Sequence, residues 1–294
     1  MKLNDLFTDI FIDNHLEIDH QLQIDHSTKV SDIRKLTMNG NLSTNFPQKI
    51  SQLPKLEVLI LDNTKLQRIP LVITQLVNLT SLHLCCNNIN VIPPTIGQLY
   101  RLTELRLNNN RLKIIPPEIG LLTNLTILDL HNNQLTEIPN EINQLIYLFE
   151  LNLENNQLTT IKLEGLCNLN ILNINCNQLS KISIWKLKQL EVLLIGSNQI
   201  QKIPSDIREL NKLLTLDISN NDLTSLPPEI GWLSKLEQLN LHRNHITKLP
   251  IEIANLRHLS QITLYSNRIR KIPSDWVKLL TYWNINNMEN QSIV

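Results

Sequence analysis

One pattern of apolar residues, asparagine and proline recurs along this chain at a nearly constant interval of roughly 23 residues. In its clearest copy the first, fourth and sixth positions are Leu102, Leu105 and Leu107, the ninth is Asn110 and the fifteenth is Pro116. A period of roughly 20 to 50 residues is typical of arrays in which a single repeat cannot bury its apolar face alone. The chain is therefore predicted to fold as a solenoid rather than as one or two globular domains.

Eleven copies of the pattern lie within residues 30–280, starting at positions 33, 56, 79, 102, 125, 148, 169, 190, 213, 236 and 259. Nine of them share the longer period. The two that start at Leu148 and Leu169 are shorter by two positions and carry Lys162 and Ser183 in place of the proline. We expect the curvature of the array to change there. Whether this change serves binding or reflects drift of the return segment stays open.

The residue types within a repeat predict how it folds. Leu105 and Leu107 are two residues apart, so they point to the same side of a short strand and should enter the core. Proline fixes its own φ and biases the preceding residue toward extended geometry. The return segment should therefore begin extended and contain at most a short helical turn before the next strand.

The asparagine at the ninth position is predicted to close the turn after each strand. Its amide group both donates and accepts, so stacked copies can pair with turn backbone groups of neighbouring repeats. Thr64 replaces it in the second repeat, where we expect weaker local order. The predicted ladder consists of Asn41, Asn87, Asn110, Asn133, Asn156, Asn177, Asn198, Asn221, Asn244 and Asn267.

This pattern resembles the leucine-rich repeat family, in particular its short intracellular class with an Ile-Pro step, which includes the Ras-group proteins and many bacterial arrays. The resemblance covers about residues 30–280. It implies an α/β solenoid, a leucine-rich repeat horseshoe with a parallel concave sheet and a mostly extended or short-helical convex side. It also implies a scaffold that binds protein partners. The likeness to the Ras-group proteins suggests a role in signalling, with GTPase-pathway or phosphatase partners, although no residue identifies such a partner.

The ends of the array should carry caps, because a terminal repeat would otherwise expose its core. In residues 1–29, apolar residues such as Ile12, Leu16 and Ile18 fall on even-numbered positions, a period of two that predicts short strands. Residues 281–294 are predicted to form a C-terminal cap or tail, with Trp276 and Trp283 supplying bulk at this end.

The outward-facing side chains of the concave face form the candidate binding site. Contiguous exposed apolar groups mark contact surfaces, and here they interrupt columns that are otherwise polar. The charged residues between them would orient a partner more than bind it tightly. Single exposed apolar residues are common on protein surfaces, so chance remains the alternative. The predicted partner-binding residues are Ile60, His83, Arg106, Asp129, His131, Asn152, Ile171, Val192, Leu194 and Asp217.

Charge and cysteine usage narrow the expected partners and location. The formal net charge of the chain is zero, but residues 1–28 contain six acids and one base, so the rest of the chain has a small excess of basic residues. This excess is too weak to favour binding to nucleic acid or to an anionic membrane. Acids interrupt the N-terminal stretch where a signal peptide is apolar, and no segment reaches the about 18 apolar residues of a membrane span. The four cysteines lie inside the repeats. We expect a cytoplasmic monomer that binds neither nucleic acid nor membrane.

Two other functions are compatible with particular residues. His83 and Cys85 lie two apart on one predicted strand, as a base and a nucleophile could, but no Gly-rich loop or pocket-forming insertion accompanies them. His15, His20 and His26 lie near aspartates, but their spacing matches no standard zinc pattern. We predict no catalytic residue, cofactor or metal, and a structural or adhesion-type repeat protein is the alternative to an interaction scaffold.

Overall fold

The computed structural model describes residues 32–38, 40–42 and 46–269. They belong to two compact units, which comprise residues 1–148 and 149–294. The predicted caps at 1–29 and 281–294 lie outside the described residues, as do His15, Trp276 and Trp283, and these assignments stay predictions.

The first unit is built from short strands that pair in parallel and in sequence order. Leu82 pairs with Leu105, the equivalent position of the next repeat, so the repeat period is also the pairing interval. The strands are β1 (Lys35–Thr37), β2 (Val58–Ile60), β3 (Ser81–His83), β4 (Glu104–Arg106) and β5 (Ile127–Asp129). The intervening 3-10 helices are Gln48–Gln52, Ile73–Gln75, Pro94–Gln98, Pro117–Leu121 and Asn140–Gln144.

The second unit repeats this architecture with one variation. Leu151 pairs with Leu172 and Leu172 with Leu193 at the shorter interval of these two repeats, whereas the later strands return to the longer one. The strands are β6 (Glu150–Asn152), β7 (Ile171–Asn173), β8 (Val192–Leu194), β9 (Thr215–Asp217), β10 (Gln238–Asn240) and β11 (Gln261–Thr263). The 3-10 helices are Ser205–Glu209, Pro228–Trp232 and Ile251–Asn255.

The core of each unit consists of stacked aliphatic side chains from the predicted positions. Leu102, Leu105 and Leu107 are completely buried in the first unit, as are Leu213 and Leu216 in the second. Burying one such side chain stabilises the fold by about 1.5–3 kcal/mol. The parallel-stranded solenoid predicted from the repeat pattern is thus confirmed within each unit.

The return segment differs in conformation between the repeats with the proline and the two shorter repeats without it. Pro116 has φ −70° and ψ 148°, and its carbonyl accepts the N–H of Ile119 at 3.0 Å as the 3-10 helix begins. Lys162 and Ser183 take this position in the two shorter repeats, and the described backbone between β6 and β8 has turns there instead of a 3-10 helix. The expected extended or short-helical return segment is therefore confirmed.

The predicted asparagine ladder is present in the described repeats. Asn110 is 8% exposed, its Oδ1 accepts the N–H of Ile89 at 2.9 Å, and its Nδ2 donates to the carbonyl of Leu84 at 2.9 Å. The amide of Asn110 therefore joins two repeats. Asn41, the first residue of the predicted ladder, is exposed, and its part in the ladder stays a prediction.

The second repeat closes its turn without an asparagine. Thr64 is completely buried, and its hydroxyl lies 2.8 Å from the carbonyl of Leu61 and 2.9 Å from Oδ1 of Asn87. Asn63 and Lys65 both have positive φ, 59° and 58°. The substitution thus changes the backbone path of the turn but leaves it hydrogen-bonded, and the weaker order expected there stays a prediction.

The described part of the chain contains no helix whose length and apolarity would allow it to cross a membrane.

Candidate protein-binding face

The candidate site is the outward side of the strands, called here the sheet face, formed by the third, fifth and seventh positions of each repeat. The first unit places Ile60, His83, Arg106, Asp129 and His131 on it, and the second unit places Asn152, Ile171, Val192, Leu194 and Asp217. All are partly exposed except Asp129, which is 6% exposed. Neighbouring side chains cover most of Asp129, and its contact with a partner stays a prediction.

The charged residues of the first unit pair with one another. Ser81 Oγ lies 3.1 Å from His83 Nε2 and donates to Glu104 Oε2 at 3.1 Å. His83 Nε2 also lies 3.3 Å from Glu104 Oε1, which accepts from Arg106 Nε at 2.5 Å. Partial burial of Glu104 opposes ionisation, but the hydrogen bonds from Arg106 and His83 outweigh it and lower the pKa of Glu104.

The same network continues to the next strand, β5. Arg106 Nη1 lies 3.7 Å from Asp129 Oδ2, and Asp129 Oδ1 lies 2.7 Å from His131 Nδ1. The backbone N–H of His131 also donates to Asp129 Oδ1 at 3.2 Å. Because these charges compensate one another, this part of the sheet face is suited to orienting a partner through hydrogen bonds.

The His83 and Cys85 pair does not have the properties of a catalytic dyad. The backbone N–H of Cys85 donates to Asp62 Oδ1 at 2.6 Å. Burial, followed by the neighbouring Asp62 carboxylate, raises the pKa of Cys85 to about 12. A nucleophilic cysteine needs a lowered pKa, so this environment opposes thiolate formation.

An apolar cluster lies on the sheet face of the second unit. Ile171 pairs in register with Val192 on the next strand, and Leu194 lies two residues beyond Val192 on the same side of β8. All three side chains are half-buried. They remain accessible on a surface where the neighbouring positions are polar, so this cluster is the strongest apolar contact site among the predicted residues. In the first unit, Val58 and Ile60 are half-buried at the corresponding positions.

Beside this cluster the structure shows a feature that the sequence prediction missed. Gly196, at the seventh position of its repeat and just after β8, is buried where its neighbours leave no room for a side chain. A Cβ placed there would lie 2.9 Å from Ser219 Oγ and 3.2 Å from both Asn175 Oδ1 and Asp217 Oδ1. A glycine in an outward-facing column was the available signal, since the chain has only six glycines.

Polar contacts hold the remaining strands of this face in place. Asn240 Nδ2 donates to Asp217 Oδ2 at 3.2 Å, and Asn240 Oδ1 lies 2.6 Å from His242 Nδ1. The His242 ring stacks on Tyr265 with centroids 4.6 Å apart. Burial lowers the pKa of His242. The ring is therefore neutral near pH 7.

Within the described ranges, no group of three or more His, Cys, Asp or Glu side chains is placed to hold a metal ion. The predicted histidine and aspartate pattern around His20 lies outside those ranges.

Family models of leucine-rich repeats match much of the chain. One that contains two copies of the repeat matches residues 100–144, a second matches 77–120, 188–246 and 211–269, and a third matches 147–169. Together these segments include more than half of the 294 residues. No curated protein matches the chain in sequence.

Solved structures provide further similarities. One is the leucine-rich repeat ectodomain of the plant membrane receptor kinase GASSHO1/SCHENGEN3 from Arabidopsis thaliana, in complex with CASPARIAN STRIP INTEGRITY FACTOR 2. It is 29% identical to this chain, with a TM-score of 0.73, and the match covers 85% of this chain and 31% of that one. This chain thus spans about a third of that ectodomain. A leucine-rich repeat protein of Leptospira interrogans is 30% identical over 87% of this chain and 90% of that one, with a TM-score of 0.44. The functional domain of InlJ from Listeria monocytogenes shares the fold at 22% identity and a TM-score of 0.70, over 83% and 56% of the chains.

Proposed function

Because the chain belongs to the leucine-rich repeat family, we propose that it is a non-catalytic scaffold that binds a protein partner on its sheet face. The observation that carries this proposal is the half-buried cluster of Ile171, Val192 and Leu194. The repeat core does not require apolar side chains at these positions, since the core is already filled by Leu172 and Leu193, which are completely buried. Apolar surface retained on a polar face is typical of a contact site.

Two further observations support a protein as the ligand. The leucine-rich repeat ectodomain of the receptor kinase described above was solved in complex with CASPARIAN STRIP INTEGRITY FACTOR 2. In this chain, the paired charges of His83, Glu104, Arg106 and Asp129 present fixed donors and acceptors in the first unit. Fixed polar groups of this kind provide specificity in protein interfaces.

The non-catalytic part of the proposal is supported by the chemistry of Cys85. Leucine-rich repeat proteins are typically interaction scaffolds without enzymatic activity. The thiol of Cys85, with a pKa raised to about 12 by burial and Asp62, lacks the activation that nucleophilic catalysis requires.

We also propose a cytoplasmic monomer with a role in signalling, which binds neither nucleic acid nor membrane. Four free thiols, of which those of Cys86, Cys167 and Cys176 belong to exposed residues, suit a reducing compartment. Fractionation of cells that produce the protein tests the location, and sedimentation of the purified chain tests the oligomeric state. Enrichment in an oxidising compartment or a stable dimer would contradict these two points.

The binding proposal is tested by affinity capture and quantitative mass spectrometry from cells that naturally contain the protein. Leu194→Glu places a charge within the apolar cluster, and the double reversal of Arg106→Glu with Asp129→Lys alters the charged network. Ile251→Glu is the matched control, because Ile251 is 61% exposed and lies on a 3-10 helix away from the strands. Circular dichroism and thermal unfolding establish that each variant is folded.

We expect Leu194→Glu to lose one or more captured proteins that both the unmodified chain and Ile251→Glu retain. The double reversal should change the relative amounts of the captured proteins. If folded Leu194→Glu captures the same proteins in the same amounts as the control, binding through this part of the sheet face is wrong.

A further inference from the structure

A groove crosses the return segments of three consecutive repeats in the second unit, after the turns that follow β7, β8 and β9. Each of these repeats contributes its thirteenth and fourteenth positions, and the two later ones also contribute the residues at which a 3-10 helix begins. The groove has a volume of about 650 Å³, and none of its lining residues belongs to the sheet face. Pockets of about 300–1,000 Å³ can enclose a small ligand, so this groove has room for side chains of a bound segment.

The groove lies where the shorter repeats end and the longer ones resume. The repeat that starts at Leu169 has Ser183 in place of the proline, and its residues, all of them described, form no 3-10 helix. The next repeat does form one, Ser205–Glu209, which packs against the helix Pro228–Trp232 of the repeat that follows. On the side of the shorter repeat, Ser205–Glu209 has no such neighbour. The groove therefore marks the position where the change in repeat length removes a neighbouring helix.

Buried aliphatic side chains and partly exposed prolines line the groove. Ile203 is 1% exposed, and Ile182 and Leu226 are also buried. Pro204 and Pro227 are partly exposed beside them, with φ −75° and −73°. Because proline fixes its own backbone, a surface built on these residues is ordered before a partner arrives and loses little conformational entropy on binding.

Two lysines border the groove without a compensating charge. Lys181 and Lys202 occupy the same position of consecutive repeats, and both are exposed. No Asp or Glu lines the groove, and no acidic side chain in the described part of the chain lies within ion-pair distance of either lysine. Asp206, which follows the lining residue Ser205, is exposed and does not line the groove. Since neighbouring like charges repel each other, an anionic group between the two ammonium groups would be favourable.

The other lysines of the same repeat are neutralised. Besides Lys181, the repeat that starts at Leu169 contains Lys186 and Lys188. Lys186 forms an ion pair with Glu164, and Lys188 Nζ lies 3.1 Å from Glu209 Oε2. In this repeat, the uncompensated lysine is therefore the one at the groove.

We propose that this groove is a second binding surface, for a protein segment that carries an Asp or Glu beside an apolar residue. The apolar side chain packs against Pro204 and Pro227, and the carboxylate accepts hydrogen bonds from the ammonium groups of Lys181 and Lys202. The exposed hydroxyl of Ser225, another lining residue, can also donate to the carboxylate. This inference goes beyond the proposed function, because the groove lies on the return segments and not on the sheet face.

The lining favours a protein segment over other anionic partners. Proteins that bind a nucleic-acid backbone typically contact about 6–10 phosphates, whereas the groove offers only the charges of Lys181 and Lys202. Most of its remaining lining residues are Ile, Leu or Pro, which an apolar side chain of a peptide can cover. A charged group at the border of an apolar contact is the arrangement found in protein interfaces, where a polar rim surrounds an apolar centre.

The test is selection of a phage-displayed library of random peptides on the purified full chain, after depletion on Ser225→Trp. Because Ser225 is an exposed lining residue, an indole there fills the groove and leaves both lysines in place. The selected peptides are then synthesised as fluorescently labelled probes, and their affinities are measured by fluorescence anisotropy. Circular dichroism and thermal unfolding establish that each variant is folded.

We expect the recovered peptides to be enriched in Asp or Glu beside an apolar residue. Lys181→Gln combined with Lys202→Gln should weaken their binding roughly fivefold or more, because two charge pairs are lost. Lys186→Gln combined with Lys188→Gln is the matched control, since it removes the same net charge, and it should change the affinity by less than about twofold. Added salt should weaken binding to the unmodified chain more than binding to the variant without Lys181 and Lys202.

Three results would overturn the groove as a site for an acidic segment. The first is an equal effect of the two double substitutions, which would mean that the peptides respond only to net charge. The second is recovery of no peptide that distinguishes the unmodified chain from Ser225→Trp, and the third is recovery of peptides without acidic enrichment. Vesicles that contain phosphatidylserine are tested in parallel, and vesicle binding that is tighter than peptide binding and lost without Lys181 and Lys202 would assign the groove to a membrane instead.

Leu194→Glu separates this inference from the proposed function. The recovered peptides should bind Leu194→Glu as tightly as the unmodified chain, whether or not that variant loses captured proteins. Peptides that lose affinity for Leu194→Glu would lie on the sheet face, and the assignment to the groove would be wrong. A dimer of the purified chain that dissociates in Lys181→Gln combined with Lys202→Gln would assign the groove to a second copy and overturn the partner segment.

Discussion

Oδ1 of Asn133 accepts the backbone N–H of Leu112, in the preceding repeat, at 3.0 Å. The Nδ2 of the same side chain donates to the carbonyls of Leu107 and Leu130, both at 3.0 Å. One amide group thus satisfies turn backbone groups of two repeats that the solenoid buries. Because other asparagines of the ladder, including Asn110 and Asn221, make the same connection, the stability of a unit depends on its individual members.

Replacing Asn133 by alanine should destabilise the protein by roughly 2–4 kcal/mol, because it leaves buried donor and acceptor groups unpaired. Urea denaturation monitored by circular dichroism measures the free energy of unfolding. Glu137→Ala is the control, since Glu137 is an exposed residue of the same repeat and its replacement should change stability by less than about 0.5 kcal/mol. Equal stabilities of the two variants would contradict the ladder.

Gly231→Ala should destabilise the protein by about 1–3 kcal/mol, because the new methyl group overpacks two 3-10 helices. Its Cβ would lie 2.3 Å from the carbonyl oxygen of Glu252, a backbone atom that cannot move by itself. At Gly97 the nearest atom is instead Leu121 Cδ1 at 2.7 Å, the end of a flexible side chain. Thermal unfolding should therefore show a larger loss for Gly231→Ala than for Gly97→Ala, and the reverse order would contradict this packing.

Cys85 should react slowly with iodoacetamide in the folded protein. With a pKa of about 12, only roughly one Cys85 thiol in ten thousand is ionised at about pH 8. Peptide mass spectrometry over time should show Cys86, which is exposed, labelled well before Cys85. Asp62→Asn should speed the labelling of Cys85, because it removes a negative charge that opposes the thiolate. Labelling of both cysteines at the same rate would contradict the raised pKa and show that the Cys85 thiol is reactive.

The stabilising effect of Glu104 should depend on pH. Its pKa is lower in the folded protein than the ordinary value of 4.5, so the folded state binds its proton less readily than the unfolded state. Its contribution is therefore fully present above the unfolded pKa and is lost as pH falls through the folded pKa. The difference in unfolding free energy between the unmodified chain and Glu104→Gln should be larger at about pH 7 than at about pH 3. The exposed Glu137→Gln serves as the control, and a difference for Glu104→Gln that does not change with pH would contradict the hydrogen bonds from Arg106 and His83.

Two residues show where reasoning from the sequence was incomplete. Thr64 interrupts the asparagine pattern, but its hydroxyl and the Oδ1 of Asn87 close the turn, a compensation that depends on the neighbouring repeat. Asp129 occupies an outward-facing position, but contacts from Arg106 and His131 cover it. In both cases the periodicity predicted the position of the residue correctly. Side chains of the same repeat or of a neighbouring repeat decided its environment.

The sequence by itself determined the repeat architecture, because the spacing of leucine, asparagine and proline encodes strand, turn and return segment locally, in every copy. It also indicated that Ile171, Val192 and Leu194 would be apolar residues on the sheet face. Only the tertiary structure decided that Asn175, Asp217 and Ser219 pack around Gly196 so closely that no side chain fits there. Those residues come from three consecutive repeats, and the distances between their side chains are set by strand pairing and hydrogen bonds that no single repeat contains.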